Sequence, residues 1–263
     1  MTPIHKPSIA VYKFSSCDGC QLSILNLEDD LLELTNLIEI AFFLEARRRV
    51  LPGPYDIGLV EGSVTTEEEI EKIKEIRHDC KFLIALGTCA TAGGVQALRN
   101  FGDVETFTQN VYAHPEFIQT LPTSSSISDH VHIDAELWGC PVDKFQVVGM
   151  ITAVLQNRSP NLPNYSVCLE CKRHGNICTM VANGSACLGP ITRAGCGAIC
   201  PSMNRGCYGC FGPLPNAEIE AFIPHLRASE RYPGEGVNLL RTISGNAPEF
   251  IEAAELLMRA EDD

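Results

Sequence analysis

Thirteen cysteines stand in this 263-residue chain, and their spacing is where chemistry can begin. Cys17 and Cys20 form a C-x-x-C in "FSSCDGCQLS" (14–23), directly after an apolar run. Such a pair serves as a redox dithiol, as half of a zinc site or as half of an iron–sulfur site. Cys80, Cys89 and Cys140 follow singly, while Cys168, Cys171, Cys178, Cys187, Cys196, Cys200, Cys207 and Cys210 crowd into 43 residues. The sequence shows no signal-peptide or twin-arginine pattern, so a cytoplasmic location with reduced thiols is expected. Clustered cysteines in that setting mean metal or redox chemistry.

Each candidate chemistry makes a different demand on the count. One zinc ribbon from Cys168/Cys171 and Cys207/Cys210 leaves Cys178, Cys187, Cys196 and Cys200 without work. Two zinc sites in a non-redox interaction module stay open as an alternative. Thioredoxin-type dithiols open a helix, as Cys17 and Cys20 do, but do not come with eleven further cysteines. Iron–sulfur clusters take four thiolates each, and twelve cysteines make three such sets with only Cys80 left over. Cys196-x₃-Cys200-Pro also matches the end of the bacterial ferredoxin run C-x₂-C-x₂-C-x₃-C-P, although the other spacings are longer.

The elements that must position these residues are legible from periodicity. "SIAVYKF" (8–14), "IEIAFFLE" (38–45), "YDIGLVEG" (55–62) and "KFLIALG" (81–87) read as strands. Residues 20–37 read as one helix, 65–80 as a helix capped by Thr65 or Thr66 with acids in its first turn, and 144–157 as a helix. This alternation predicts an α/β fold, a flavodoxin-like doubly wound parallel sheet. Ligands in such sheets gather outside the carboxyl ends of the strands. Cys17 and Cys20, Glu61 in "VEGS" and Cys89 all follow strand ends, and Cys140 stands just before the last helix, so the four cysteines should meet at one rim.

The Pro/Asn-rich "NRSPNLPNY" (157–165) sets a boundary between domains 1–160 and 161–263. Beyond it, a stretch dominated by glycine, proline and cysteine is too poor in core residues to fold by burial and needs staples. The tail reads as packed helices with a frayed acidic end. Cys80 is expected at a helix end as a buried structural thiol, and His130 and His132 on a surface strand. His174 is read as a non-ligand, and the acidic helix start and "EARRR" (45–49) as solvated surface. The net charge of −13 excludes a nucleic-acid surface, and no apolar run reaches the 18 residues that a membrane-spanning helix needs. No dinucleotide fingerprint or P-loop is present, which assigns nicotinamide and flavin binding to other chains.

"SSCDGCQLS", "VEGSV", "GTCATAGGVQA", "WGCP", "CLECKRHGNIC", "CLGPITRAGC" and "CYGC" resemble, in order, the motifs of the [NiFe]-hydrogenase small subunit. The resemblance is to the cytoplasmic, bidirectional, pyridine-nucleotide-linked or sulfhydrogenase type. It implies a C-terminal ferredoxin-like iron–sulfur domain and three [4Fe–4S] clusters. The proximal cluster would take Cys17, Cys20, Cys89 and Cys140. The distal one would take Cys168, Cys171, Cys178 and Cys187, with Cys168 where membrane-bound relatives use histidine. The medial one would take Cys196, Cys200, Cys207 and Cys210, and Cys200 would restore a fourth ligand. It also implies partners: a large subunit carrying the nickel–iron site, and flavin/iron–sulfur NAD(P)-reductase subunits. F420 or ferredoxin stand as alternative acceptors. The respiratory NADH–quinone oxidoreductase small subunit is disfavoured, since this chain has no Cys-Cys dipeptide and carries the cysteine-rich extension. Lys172, Arg173, Arg193 and Arg205, near the second group of ligands, are candidates for raising cluster potentials or docking an electron partner.

Overall fold

Strand β1 (Ser8–Lys13) pairs on one side with β2 (Glu39–Phe43) and on the other with β3 (Tyr55–Glu61). β3 in turn pairs with β4 (Cys80–Leu86), and β4 with β5 (Ala135–Leu137). All pairings are parallel, and the order β2-β1-β3-β4-β5 is the flavodoxin-like one with its switch point between β1 and β3. The computed structural model describes residues 6–259. The expected frayed acidic end falls on 260–263, outside the described residues.

Side-chain alternation along the strands builds two cores, one on each face of the sheet. Ile9, Val11, Ile57, Leu59, Ile84 and Leu86 face a core shared with Val147, Met150 and Ile151 of α6 (Lys144–Leu155). Ala10, Tyr12, Val60, Leu83 and Ala85 face a core shared with Ile73 and Ile76 of α3 (Glu67–Asp79). Thr66 caps that helix: its hydroxyl accepts from the Glu69 N–H (3.2 Å), and the Glu69 carboxylate accepts from the Thr66 N–H (3.2 Å).

The cysteine-rich segment contributes only short helices: α7 (Val167–Arg173), α8 (Thr179–Asn183) and α9 (Ile199–Ser202). Three longer ones follow, α10 (Ile219–Ala228), α11 (Glu235–Thr242) and α12 (Pro248–Arg259), as the tail's periodicity predicts. A third core joins these tail helices to Leu188, Ile191 and, from the first half of the chain, Ala92 and Trp138. The Asn246 amide donates to the Ser124 carbonyl (2.8 Å), so the tail is bonded to the sheet domain directly. Among the described residues no helix is long and apolar enough to cross a membrane.

Two expectations are corrected. Residues 20–37 form two short helices, α1 (Gly19–Leu25) and α2 (Asp29–Leu34), because Glu28 takes φ +54° and turns the chain while Leu27 and Leu34 stay buried. His130 and His132 lie outside any strand. They follow a 3₁₀ turn at Ile127–Asp129 capped by Ser126, and the His130 ring bonds the Ser125 hydroxyl (2.7 Å). The strand follows only at β5, whose three residues are too few for a periodic signal. Cys80, as expected, ends a helix: it is the C-cap of α3, its N–H donating to the Ile76 carbonyl, and it also opens β4 opposite Tyr55. It is buried against Gly58, and burial raises its thiol to about 11.

Thr66→Ala should cost about 1 kcal/mol through loss of the capping box, read as a fall of about 2–4 °C in the thermal unfolding midpoint. An unchanged midpoint would show that α3 is held by its apolar face alone.

Candidate iron–sulfur sites

The strand register aligns the carboxyl ends: Lys13 is level with Glu61, Glu61 with Leu86, and Leu86 with Leu137. Each end is followed within a few residues by a cysteine or, for β3, carries the Glu61 carboxylate itself. Cys17 lies in the turn after β1 and Cys20 in the first turn of α1. Cys89 lies in the first turn of α4 (Gly87–Ala92), and Cys140 follows β5. The four thiols act on one another electrostatically: Cys20 with Cys89 and Cys140, Cys89 with Cys140 and Cys17, and Cys140 with Cys17. Burial raises the Cys20 thiol strongly, Cys89 to about 12, and Cys140 as well. The Val142 N–H donated to Cys20 acts in the opposite sense.

Glycine is required where the backbone meets these sulfurs. Gly87 sits at φ +85°, and a Cβ there would drive into Cys20 Sγ. Gly94, at φ +60°, likewise leaves no room for a side chain against Cys89 Sγ.

Glu61 is 1% exposed, and its Oε2 accepts from the Ser16 hydroxyl (2.6 Å) and the Gln21 amide (3.5 Å). Burial raises its carboxyl above the usual range, with these donors opposing the shift. The carboxylate is thus buried and held by these two donors rather than solvated.

The remaining eight cysteines form a continuous chain of neighbours. Cys168 acts on Cys187, Cys171 and Cys178, and Cys168 is raised by burial to about 11. A Cβ on Gly189 would touch both Cys168 Sγ and Cys187 Sγ (3.3 Å each). Cys196 and Cys200 act on each other and on Cys210, which burial raises to about 12. Cys207 faces both Cys187 and Cys210. Cys210 also faces Cys140 and accepts the Cys140 N–H, which ties this group to the sheet rim. The Thr88 hydroxyl strengthens that joint by donating to the Cys210 carbonyl (2.7 Å). His174 is exposed.

Backbone N–H groups point at several sulfurs. Cys207 N donates to Cys187 Sγ (3.1 Å) and Gly209 N to Cys207 Sγ (3.5 Å). Cys196 receives the N–H groups of Ala198 and Ile199. These donors stabilise the ionised sulfur that a metal requires, against the burial that opposes it. The donor set therefore fits a cationic iron–sulfur group, whose positive irons would complete the compensation. Among the described residues, no three His, Cys, Asp or Glu side chains are placed to hold a single metal ion.

Several supporting residues were invisible in the sequence. The Glu170 carboxylate accepts from Gly195 N (2.9 Å) and Ala198 N (3.2 Å), bracing the loop around Cys196. Its only sequence signal is that it is the sole acid in 166–212. Arg193 is half-buried: burial lowers its guanidinium, and the Glu136 and Glu249 carboxylates oppose that shift. "EARRR" behaves as surface, with Arg47 paired to Glu39 (3.1 Å).

Residues 17–154 match the family model described as NADH ubiquinone oxidoreductase, 20 Kd subunit. The likeness to whole relatives runs further. Sulfhydrogenase 2 subunit delta of Pyrococcus furiosus is 36% identical over 219 residues, covering 83% of this chain and 92% of the relative. A subunit of the F420-non-reducing hydrogenase vhu of Methanocaldococcus jannaschii is 33% identical over 233 residues, covering 78% and 81%. A chain of an NAD+-reducing [NiFe]-hydrogenase, solved in the H2-reduced state, superposes with a TM-score of 0.56 at 28% identity, over 60% of this chain and 96% of that one. The chain belongs to the NADH ubiquinone oxidoreductase 20 Kd subunit family and, within it, to the small subunits of [NiFe] hydrogenases, oxidoreductases that act on H2.

Gly87→Ala should displace Cys20 and lower the iron bound per chain. Full iron content by elemental analysis would contradict the close approach at that glycine.

Proposed function

We propose that this chain is the electron-relay subunit of a cytoplasmic [NiFe] hydrogenase, passing electrons between a partner large subunit and an NAD(P)-reducing module. The observation that carries this reading is the unbroken series of neighbouring thiols from Cys17 at the sheet rim, through Cys140 and Cys210, to Cys207 and Cys187. An electron path needs such continuity, whereas three unrelated structural zinc sites do not. Each [4Fe–4S] cluster, when bound, takes up and returns one electron.

The chain's own residues do the rest. Cys17, Cys20, Cys89 and Cys140 hold the proximal cluster, and their place at the carboxyl edge leaves Cys17 exposed toward the large subunit. Cys196, Cys200, Cys207 and Cys210 hold the medial cluster, and Cys168, Cys171, Cys178 and Cys187 the distal one. Domains 1–160 and 161–263 divide the proximal site from the other two. The N–H groups on Cys187, Cys196 and Cys207, together with burial, set the potentials.

The acceptor has a second reading. The NAD-reducing hydrogenase HoxS subunit delta of Cupriavidus necator covers 60% of this chain, whereas the F420-non-reducing vhu relative covers 78%. The fuller match, to a relative named for not reducing F420, favours ferredoxin over F420 as the alternative acceptor. Hydrogen-dependent reduction of NAD, NADP, F420 and ferredoxin, measured side by side with the purified complex, decides between them.

Cys17→Ser should abolish the proximal cluster's paramagnetic signal and lower hydrogen-dependent viologen reduction by at least about tenfold, with the other two clusters retained. Full dye reduction would sink the relay. Cys187→Ser and Cys207→Ser should each remove a different cluster signal. Loss of the same signal in both would overturn the division of the eight C-terminal cysteines.

A further inference from the structure

The cysteine-rich segment differs in charge from the rest of the chain. Residues 166–212 carry one lysine and three arginines against a single acid, in a chain whose net charge is −13. That acid, Glu170, is spent on backbone N–H groups. Arg193 is half-buried, whereas Lys172, Arg173 and Arg205 are exposed.

The same surface exposes large apolar side chains beside the thiols. Ile177 (73% exposed) precedes Cys178, Val181 (86%) projects from α8, and Met203 (71%) lies two residues before Arg205. The Asn183 amide donates to Asn204 Oδ1 (3.0 Å), which joins the end of α8 to the turn bearing Met203 and Arg205. Beside that turn is a cleft of about 310 Å³ whose polar lining includes Ser185, Asn204, Arg205, Tyr208, Arg231 and one acid, Glu235. Arg231 is paired with Glu235 (3.0 Å to its Nε), while the Arg205 guanidinium has no hydrogen bond or ion pair among the described residues.

An apolar centre with a one-signed charged rim is the anatomy of a protein-docking surface. We propose that the face formed by Ile177, Val181, Met203, Lys172 and Arg205 docks an acidic redox protein, with a carboxylate of that partner entering the cleft at Arg205. This rests on the relay reading and names its exit surface. Charge complementarity selects the partner: an acidic protein is repelled by the rest of this acidic chain and attracted here, which also orients it toward Cys178.

The complex of this chain with its large subunit tests the proposal, with an acidic two-[4Fe–4S] ferredoxin as probe. Each H2 oxidised supplies two protons and two electrons, one to each ferredoxin cluster. The rate with ferredoxin should fall as salt rises, and Arg205→Glu should slow it about tenfold at low ionic strength, with little difference left at high salt. Val181→Asp, at a solvated position, should slow it likewise. Benzyl viologen reduction should be unchanged in both variants. A ferredoxin rate indifferent to salt, or unchanged in both variants, would overturn the proposal. So would equal slowing by Arg205→Glu at every ionic strength, which would mean an effect on a cluster potential. If Val181→Asp dissolves a dimer without altering ferredoxin kinetics, the face belongs to a second copy of this chain and the proposal fails. Absence of viologen reduction in the parent complex would instead remove the relay reading beneath it.

Discussion

Four sulfur atoms from distant parts of the chain come together at one rim of the sheet, and the parallel register of the strands is what brings them there. Lys13, Glu61, Leu86 and Leu137 stand level across β1, β3, β4 and β5. A one-residue slip in any pairing would turn a strand's core side chains to the wrong face. Register is therefore held by the hydrophobic pattern, and the thiol geometry is inherited from it. The two cores of the sheet domain secure the proximal site more than any bond at the site does.

The cysteine-rich segment has no such scaffold. Its helices are a turn or two long, and its own buried cluster consists largely of the cysteines themselves with Val167 and Ala198. It borrows order from both sides. On one side Cys210 and Thr88 join it to the rim, and Gly212 lies against the Trp138 ring, where any side chain would collide. On the other side the tail helices supply a third core that takes in Leu188 and Ile191. Buried thiols are costly to ionise, so this segment's fold and its metal are two halves of one equilibrium. The N–H groups aimed at sulfur show the polypeptide's half of that compensation.

The parallel sheet was readable because four of its strands are apolar runs of ordinary length ending in glycine or polar residues. The convergence at the rim followed from topology alone. β5 was missed because three residues carry no period, and the break at Glu28 because a positive φ on glutamate has no sequence signature. The C-x-x-C and C-x₃-C-P spacings made the iron–sulfur reading accessible, and the order of seven motifs pointed to the family. Glu170 and Thr88 were opaque, since each acts through a tertiary hydrogen bond that no local pattern encodes. The difference between solvated and buried Glu61 likewise turns on Ser16 and Gln21 folding over it.

Iron and acid-labile sulfide per chain, measured on the complex purified without oxygen and corrected for any other subunit's content, test the central claim most directly. Three sets of four cysteines predict about twelve of each in this chain. About four of each would confine the chemistry to the sheet rim. Zinc in place of both would contradict the account altogether.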